Sequence, residues 1–358
     1  MRLMRQSDMK ILFVARTYPP FVGGMEKFAS DFYHHLQEVT DVDILANHHG
    51  KRRIIQFFFK ALFHLIWNAH KYDLIHFNDA VLSPLIPIIR LVSKTKVTMT
   101  VHGLDIVFER FGYQYLIVPF IKYADRIFPV SEYTKQQCLM RGVPENKLRV
   151  IPNGLDFDKI VTCTEDQIGQ FLSKLNIPLE NKHILLSLGR LINRKGHGWF
   201  IENVMQNLPE NYIYLIAGDG REYDSIQQKI TDLQISDRVI MLGFVSEIEK
   251  ACLFQIADLF LMPNIYEEND QEGFGIVLLE AGSYELPSIA ANIEGIRDAV
   301  IEGVTGHLVE EKNPQAFIEA ITHFDIDRGQ IAQTLRDHYD WQIISKTYLD
   351  EFSQLLQA

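Results

Sequence analysis

Short, nearly continuous apolar runs recur along the chain and alternate with longer stretches in which apolar residues recur at helical spacing. Apolar runs without strict alternation are typical of parallel strands that are buried on both faces and separated by helices. In the first part of the chain these runs occupy residues 10–15, 41–46, 73–78, 96–103, 125–131 and 148–154.

The pattern then starts again, and its second series occupies residues 183–191, 211–220, 238–245, 258–264 and 287–292. Two such series predict an α/β protein with two Rossmann-like domains. We place these domains at 9–160 and 161–337, with a linker near 155–182, and expect a C-terminal helix at about 338–358 to pack back on the first domain. Because ligands of open parallel sheets bind beyond the carboxyl ends of the strands, the expected site is the cleft between the domains.

The composition is that of a globular protein, since 47% of the 358 residues are hydrophobic and 23% are charged. The three cysteines are far apart and form no C-x-x-C pair, which argues against a zinc site or a disulfide framework. Such cysteine usage favours a reducing cytoplasm. No apolar stretch is long enough to predict a transmembrane helix.

Charge is distributed unevenly along the chain. Residues 1–155 contain 20 basic and 13 acidic residues, a net charge of +7, and the remainder contains 15 basic and 33 acidic residues, a net charge of −18. We therefore expect the first half to prefer an anionic surface. No basic run is interleaved with aromatic residues in a nucleic-acid recognition pattern, so we expect no nucleic-acid partner.

Two loops that follow predicted strands carry glycine or basic residues. In the loop 19–28, Gly23 and Gly24 allow close approach of a ligand to a helix N-terminus, although a simple tight turn would use the same residues. In the loop 187–196, Arg190 and Lys195 suit a diphosphate, because arginine grips two oxygens and lysine supplies a point charge. The alternative is a solvated basic loop.

The segment 266–282 combines two acidic residues with glycines. Glu272 and Glu280 flank a Gly-Phe-Gly sequence, and a helix that begins near Phe274 would present unpaired N–H groups to phosphate oxygens. Glu280, two turns into that helix, suits a ribose diol, whereas Glu272 would lie near a sugar. The alternative is that both are ordinary acids near a helix N-terminus.

His102 follows the apolar run KVTMTV, and the topology directs a residue at this strand end toward the cleft. It could donate a hydrogen bond to a substrate or assist proton transfer. A purely structural histidine is the alternative.

Taken in order, these segments resemble the GT-B glycosyltransferases of the retaining family four. The similar motifs are PPFVGGMEKF, TVHGLD, PVSEYT, VIPNGLD, GRLINRKG, AGDG, DRVIMLGFV and, as the most specific of them, EGFGIVLLEA. The resemblance runs along nearly the whole chain and implies two Rossmann-like domains whose parallel sheets face a central cleft. It implies transfer of a hexose from a UDP- or GDP-sugar to a hydroxyl of a saccharide or lipid-linked acceptor, in the synthesis of cell-surface polysaccharide or glycolipid.

The resemblance assigns acceptor binding to the first domain and nucleotide-sugar binding to the second. It implies that Arg190 and Lys195 hold the diphosphate, with a catalytic role in stabilising the leaving group. It further implies that Glu280 holds the ribose, that Glu272 contacts the donor sugar, and that His102 lies near the transferred sugar.

Further roles implied by the resemblance rest on backbone groups. The backbone at Phe274, Gly275 and Ile276 would support the phosphates, and Gly24 would approach the donor or acceptor. Members of the family generally need no metal, so we expect neither a metal site nor a cofactor beyond the nucleotide-sugar co-substrate.

Two other functions remain open from the sequence, a GT-B sugar-nucleotide epimerase and a non-catalytic sugar-nucleotide sensor. A dehydrogenase is disfavoured because the G-x-G-x-x-G fingerprint is absent.

Residues 51–71 predict a helix with a narrow polar stripe and a broad apolar face. Such a helix can lie on an anionic membrane, with basic residues among the headgroups, or it can be a crossover helix buried against the sheet. The first interpretation adds peripheral contact with the inner membrane face to a cytoplasmic protein.

Overall fold

The structure is a computed structural model that describes residues 9–21, 23–109, 112–175 and 181–357. The chain divides into two compact units. The first contains the described residues up to Asp156, together with Asn269–Phe274 and the described residues from Tyr339 onward, and the second contains Phe157–Glu268 and Gly275–His338.

Each unit contains one parallel sheet, as predicted from the nearly continuous apolar runs. The first sheet has the strand order β2-β1-β3-β4-β5, and the second has the order β11-β10-β9-β6-β7-β8. Every strand pair in both sheets is parallel. The strands are β1 (Lys10–Ala15), β2 (Asp41–Ala46), β3 (Leu74–Phe77), β4 (Lys96–Val101), β5 (Arg126–Pro129), β6 (His183–Leu188), β7 (Tyr212–Ala217), β8 (Val239–Gly243), β9 (Leu259–Met262), β10 (Ser288–Ala291) and β11 (Gly306–Val309).

Helices connect the strands and cover the sheets, which is what parallel pairing requires. The fold class, α/β with two Rossmann-like units, is therefore confirmed. The α-helices are α1 (Gly24–Val39), α2 (Ile54–Asn68), α3 (Ile86–Val92), α4 (Leu104–Val107), α5 (Tyr113–Leu116), α6 (Val118–Ile121), α7 (Glu132–Met140), α8 (Glu165–Leu175), α9 (His197–Asn203), α10 (Tyr223–Asp232), α11 (Glu247–Ile256), α12 (Ile276–Gly282), α13 (Pro314–Thr322), α14 (Ile331–Tyr339) and α15 (Trp341–Gln357).

The first sheet separates two hydrophobic cores, because successive strand side chains point to opposite faces. On one face, Leu12 and Val14 pack with residues of α2 and α3. On the other, Ile11 and Phe13 pack with residues of α1 and of the C-terminal helix α15. Helix α15 thus lies on the first sheet, where the Tyr348 hydroxyl lies 3.1 Å from Thr100 Oγ1.

The structure corrects three details of the sequence analysis. Residues 148–154 form no strand; the segment runs beside β5 through a bridge at Leu148, and its ladder ends before Pro152, which has no N–H to donate. The predicted linker contains helix α8, which packs in the second unit. Strand β11 was not predicted, because its four residues include Gly306 and His307 and so lack a continuous apolar run.

Candidate active site

The order of the second sheet places its switch point between β6 and β9, where the chain leaves in opposite directions and ligands of such sheets bind. Backbone contacts join the two loops here. Gly196 has φ +69°, and a methyl group on it would lie 1.9 Å from the carbonyl oxygen of Pro263. Only glycine permits this approach.

The loops after β6 and β7 approach each other in the same way. Gly218 has φ +143°, and a methyl group on it would lie 1.8 Å from the carbonyl oxygen of Gly189. The N–H of Leu191 donates to the carbonyl of Asp219 at 2.9 Å. These contacts fix the course of the segment that carries Arg190.

Arg190 and Lys195 both belong to this loop. Arg190 is exposed, and Lys195 is half-buried. A methyl group on Gly189 would lie 3.8 Å from Lys195 Cε, so the lysine side chain runs back along the turn toward Arg190. The structure therefore brings the two cations to one edge of the second sheet, at its switch point, which is an arrangement that can bind a diphosphate.

Helix α12 begins at Ile276, two residues later than the sequence predicted, because Gly275 precedes it in the left-handed region at φ +93°. The N–H of Leu278 donates to the carbonyl of Gly275 at 2.9 Å. The N–H groups of Ile276 and Val277 have no partner within the helix by its geometry. Phe274 is buried, and its ring packs at 5.9 Å from the ring of Tyr339. Any role of Phe274 in phosphate binding therefore belongs to its backbone, whereas its side chain packs in the first unit.

Glu280, in the last turn of α12, is paired with a lysine that the sequence analysis did not identify. The ammonium group of Lys250, on α11, lies 3.7 Å from Glu280 Oε1 and 2.8 Å from Glu247 Oε2. Lys250 and Glu280 are both largely buried, with 17% and 13% of their side chains exposed. Burial, reinforced by the charge of Glu280, raises the pKa of Tyr284 to about 12.

In the first unit, His102 follows β4 and is held at two points. Its backbone N–H donates to Asp105 Oδ1 at 2.8 Å, and its Nε2 lies 2.8 Å from the carbonyl oxygen of Asn78. A carbonyl oxygen can only accept, so Nε2 carries a proton, and the tautomer with its single proton on Nε2 presents Nδ1 as an acceptor. The ring also packs edge-on against Phe28 at 4.7 Å.

Buried charged side chains lie next to the backbone segments that hold His102. The first sheet has its switch point between β1 and β3, and the guanidinium of Arg16 spans it to reach Asp79 at 3.1 Å. Asp79 raises the pKa of Arg16, while burial raises the pKa of Asp105, whose Oδ2 accepts from the N–H of Ala80. Arg16 and Asp79 were missed by the sequence analysis, although each follows a predicted strand, and that position was the available signal.

Glu272 belongs to a segment that packs in the first unit, whereas the sequence analysis assigned it to the second domain. The neighbouring Gly273 lies against His102, where a methyl group on the glycine would come within 1.9 Å of the histidine carbonyl oxygen. The structure therefore brings Glu272, which is half-buried, into the neighbourhood of His102.

Gly24 opens helix α1, and a methyl group on it would meet no atom of the described residues within 4 Å. Packing within the first unit thus does not explain a glycine here, and its proposed approach to a ligand stays a prediction.

Among the described residues, no group of three or more His, Cys, Asp or Glu side chains is arranged to hold a metal ion. The three cysteines are free and buried. Metal independence itself stays a prediction.

Two family models match successive parts of the chain. The model described as Glycosyltransferase Family 4 matches residues 22–159, and the model described as Glycosyl transferases group 1 matches residues 171–336. The chain belongs to the group 1 glycosyltransferases. The resemblance drawn from its motifs is therefore confirmed, and with it the GT-B fold class.

Two curated relatives of this group 1 glycosyltransferase have names that specify lipid-linked acceptors. The chain is 27% identical over 272 residues to the UDP-Gal:alpha-D-GlcNAc-diphosphoundecaprenol alpha-1,3-galactosyltransferase of Escherichia coli, an alignment that covers 72% of the chain and 67% of the relative. It is 25% identical over 276 residues to the GDP-mannose-dependent alpha-(1-6)-phosphatidylinositol monomannoside mannosyltransferase of Mycobacterium tuberculosis, covering 73% of the chain and 69% of the relative.

Among solved structures, the group 1 glycosyltransferase resembles Anabaena HepE in complex with UDP-glucose, with a TM-score of 0.75 and 21% identity over 97% of this chain and all of the other. It also resembles the lipopolysaccharide outer core galactosyltransferase WaaB, with a TM-score of 0.72 and 20% identity over 97% of this chain and all of the other. At these identities the likeness supports the fold.

Proposed function

We propose that this glycosyltransferase moves a hexose from a UDP- or GDP-sugar to a hydroxyl acceptor, with retention at the anomeric carbon. The observation that carries the proposal is the second unit's switch point, where Arg190 and Lys195 share one loop with a backbone fixed by glycines. The names of the relatives support a nucleotide-sugar donor of either base, since one uses UDP-Gal and another GDP-mannose.

The main catalytic task is to stabilise the charge that grows on the departing diphosphate. Arg190, Lys195 and the first N–H groups of α12 would supply positive potential from preorganised positions, without a metal ion. The bond between the anomeric carbon and the diphosphate oxygen breaks, and the acceptor oxygen forms a bond on the same face of the sugar. The acceptor's proton passes to the departing diphosphate. Because the new bond forms on the face that the diphosphate leaves, the anomeric configuration is preserved.

Sugar positioning would fall to His102 and Glu272. The Nδ1 atom of His102 can accept a hydrogen bond from a sugar hydroxyl in the tautomer whose proton is on Nε2, where it donates to the carbonyl of Asn78. Glu280 would accept from the ribose hydroxyls in the second unit.

We propose that the acceptor is a saccharide or a lipid-linked saccharide, bound by the first unit at the cytoplasmic face of a membrane. The charge of +7 over residues 1–155 supports this placement, as do the lipid-linked acceptors in the names of two relatives. Among the described residues, no helix combines the length and the hydropathy that a membrane crossing needs.

A thermal-shift panel of nucleotides and nucleotide sugars tests the donor site, because a ligand that binds only the native state raises the Tm. We expect UDP- or GDP-sugars to raise the Tm and NAD to leave it unchanged. The donor that binds is then incubated with and without acceptor extracts. Product that forms only with acceptor supports transfer; an isomerised sugar from donor alone would indicate an epimerase, and binding without any turnover would indicate a sensor.

A further inference from the structure

Helix α2 carries two apolar faces. Phe57, Ala61 and Leu65 are buried against the first sheet, so the helix is a packed crossover element. A second series, one helical turn apart, points to solvent, and its exposed fractions are 74% for Ile55, 52% for Phe59, 60% for Phe63 and 72% for Trp67. Burial against the sheet therefore accounts for only part of the apolar pattern of α2.

The exposed series continues onto helix α3. The C-terminal ends of α2 and α3 are tied together by Thr95, whose hydroxyl lies 2.8 Å from the carbonyl oxygen of Ala69 and whose own carbonyl accepts from Arg90 at 2.9 Å. Leu91 and Val92, at the end of α3, are 84% and 45% exposed. We call the residues Ile55, Phe59, Phe63, Trp67, Leu91 and Val92 the α2–α3 surface.

The helices on the opposite face of the same sheet lack such a surface. Among the described residues of α1 and α15, the exposed large apolar side chains are Ile343 at 42% and Leu356 at 36%. Within the described parts of these helices, the exposed aromatic residues are thus found on the α2–α3 side of the sheet and not on the side of α1 and α15. Large exposed apolar patches mark interaction sites, so we expect the α2–α3 surface to bind a partner.

Cations accompany this surface. Residues 51–94 contain seven basic and two acidic residues. One of the acids, Asp79, is buried and paired with Arg16, whereas Arg53, Lys60, Lys71 and Lys94 are exposed. A second copy of the chain would bring two such positive surfaces together, so the charge pattern favours a negatively charged partner.

We infer that the α2–α3 surface binds an anionic lipid bilayer, with its aromatic and aliphatic side chains among the headgroups and its lysines against the lipid phosphates. Aromatic and basic residues on one exposed helix face suit this interface. The inference deepens, and rests on, the proposed contact of the first unit with a lipid-linked acceptor, because it names the residues that reach the membrane.

Cosedimentation with vesicles of phosphatidylcholine, with and without phosphatidylglycerol, tests the inference on the full chain. We expect binding that requires phosphatidylglycerol and weakens as salt rises. The double variant Phe63→Ser/Trp67→Ser should bind at least about tenfold less, and Lys60→Glu about fivefold less.

Matched controls are an exposed phenylalanine in the second unit, Phe244→Ser, and an exposed lysine on the opposite layer, Lys346→Glu. Both should bind vesicles like the wild type, and circular dichroism should show all variants folded. Equal loss in the controls, equal binding to neutral vesicles, or a wild-type dimer that Phe63→Ser/Trp67→Ser dissociates would each overturn the inference.

Nucleotide binding separates this outcome from the proposed function. If UDP and GDP both fail to bind the wild type in calorimetry, the proposed function fails whatever the vesicles show. If either nucleotide binds equally to the wild type and to Phe63→Ser/Trp67→Ser, but vesicles are not bound, the membrane inference alone fails.

Discussion

The loops at the switch points of the two sheets are held in place by different kinds of contact. In the first unit a buried ion pair between Arg16 and Asp79 spans the switch point, and buried Asp105 fixes the backbone of His102. In the second unit the loops meet through backbone atoms at Gly196 and Gly218. Charged side chains thus hold the first site, whereas backbone contacts at glycines hold the second.

The largest effect is expected from breaking the glycine contacts. In Gly218→Ala, a methyl group would collide with the carbonyl of Gly189, and φ +143° would be strained for alanine. We expect a loss of roughly 3 kcal/mol in the free energy of unfolding and loss of nucleotide binding, measured by urea denaturation and calorimetry.

The matched control for this change is Gly169→Ala in helix α8, where a methyl group meets no described atom within 4 Å. That variant should be neutral or more stable by up to about 1 kcal/mol, because alanine favours helices. If the Gly218→Ala and Gly169→Ala proteins were equally stable, the close contact between Gly218 and the carbonyl of Gly189 would not be what holds these two loops together.

The next effect tests the residues held in the first unit. His102→Ala and Glu272→Gln should each lower kcat by roughly a hundredfold, because both are assigned to the transferred sugar. Nucleotide diphosphate affinity should change little, since these residues lie with the first unit. Full turnover in either variant, or a loss confined to nucleotide affinity, would contradict the assignment.

A smaller effect is expected for the cation loop. Lys195→Ala should weaken nucleotide diphosphate binding by about 2 kcal/mol, or roughly thirtyfold in Kd, and lower transfer activity, while the Tm without ligand stays near that of the wild type. Lys182→Ala, outside this loop, serves as the control for loss of one positive charge. Unchanged affinity for both UDP and GDP in Lys195→Ala would remove the diphosphate role.

The repeated strand pattern could be predicted from the sequence, whereas features that depend on single side-chain contacts could not. Buried parallel strands are visible in a sequence as apolar runs, so the fold class and the two series of strands were predictable. Motifs such as GRLINRKG indicated the family. Lys250 was not predictable, because a lysine on an ordinary amphipathic helix has no local pattern that reveals a partner 30 residues away at Glu280. Nor could the sequence reveal which side of the apolar helix α2 would be buried, since both sides carry aromatic residues.

The smallest effect concerns Lys250 and sharpens the contrast, because here a side-chain ion pair supports the second unit's site. Lys250 lies 3.7 Å from Glu280, the carboxylate that we propose binds the ribose, and its positive charge orients that carboxylate. Lys250→Met should therefore weaken binding of the preferred nucleoside diphosphate a few-fold and reduce its advantage over the 2′-deoxy counterpart. Calorimetry with the two nucleotides measures this ratio, which Lys250→Arg should largely preserve. A Lys250→Met protein that discriminates between them as well as the wild type would show that the lysine supports the helix and not the ribose site.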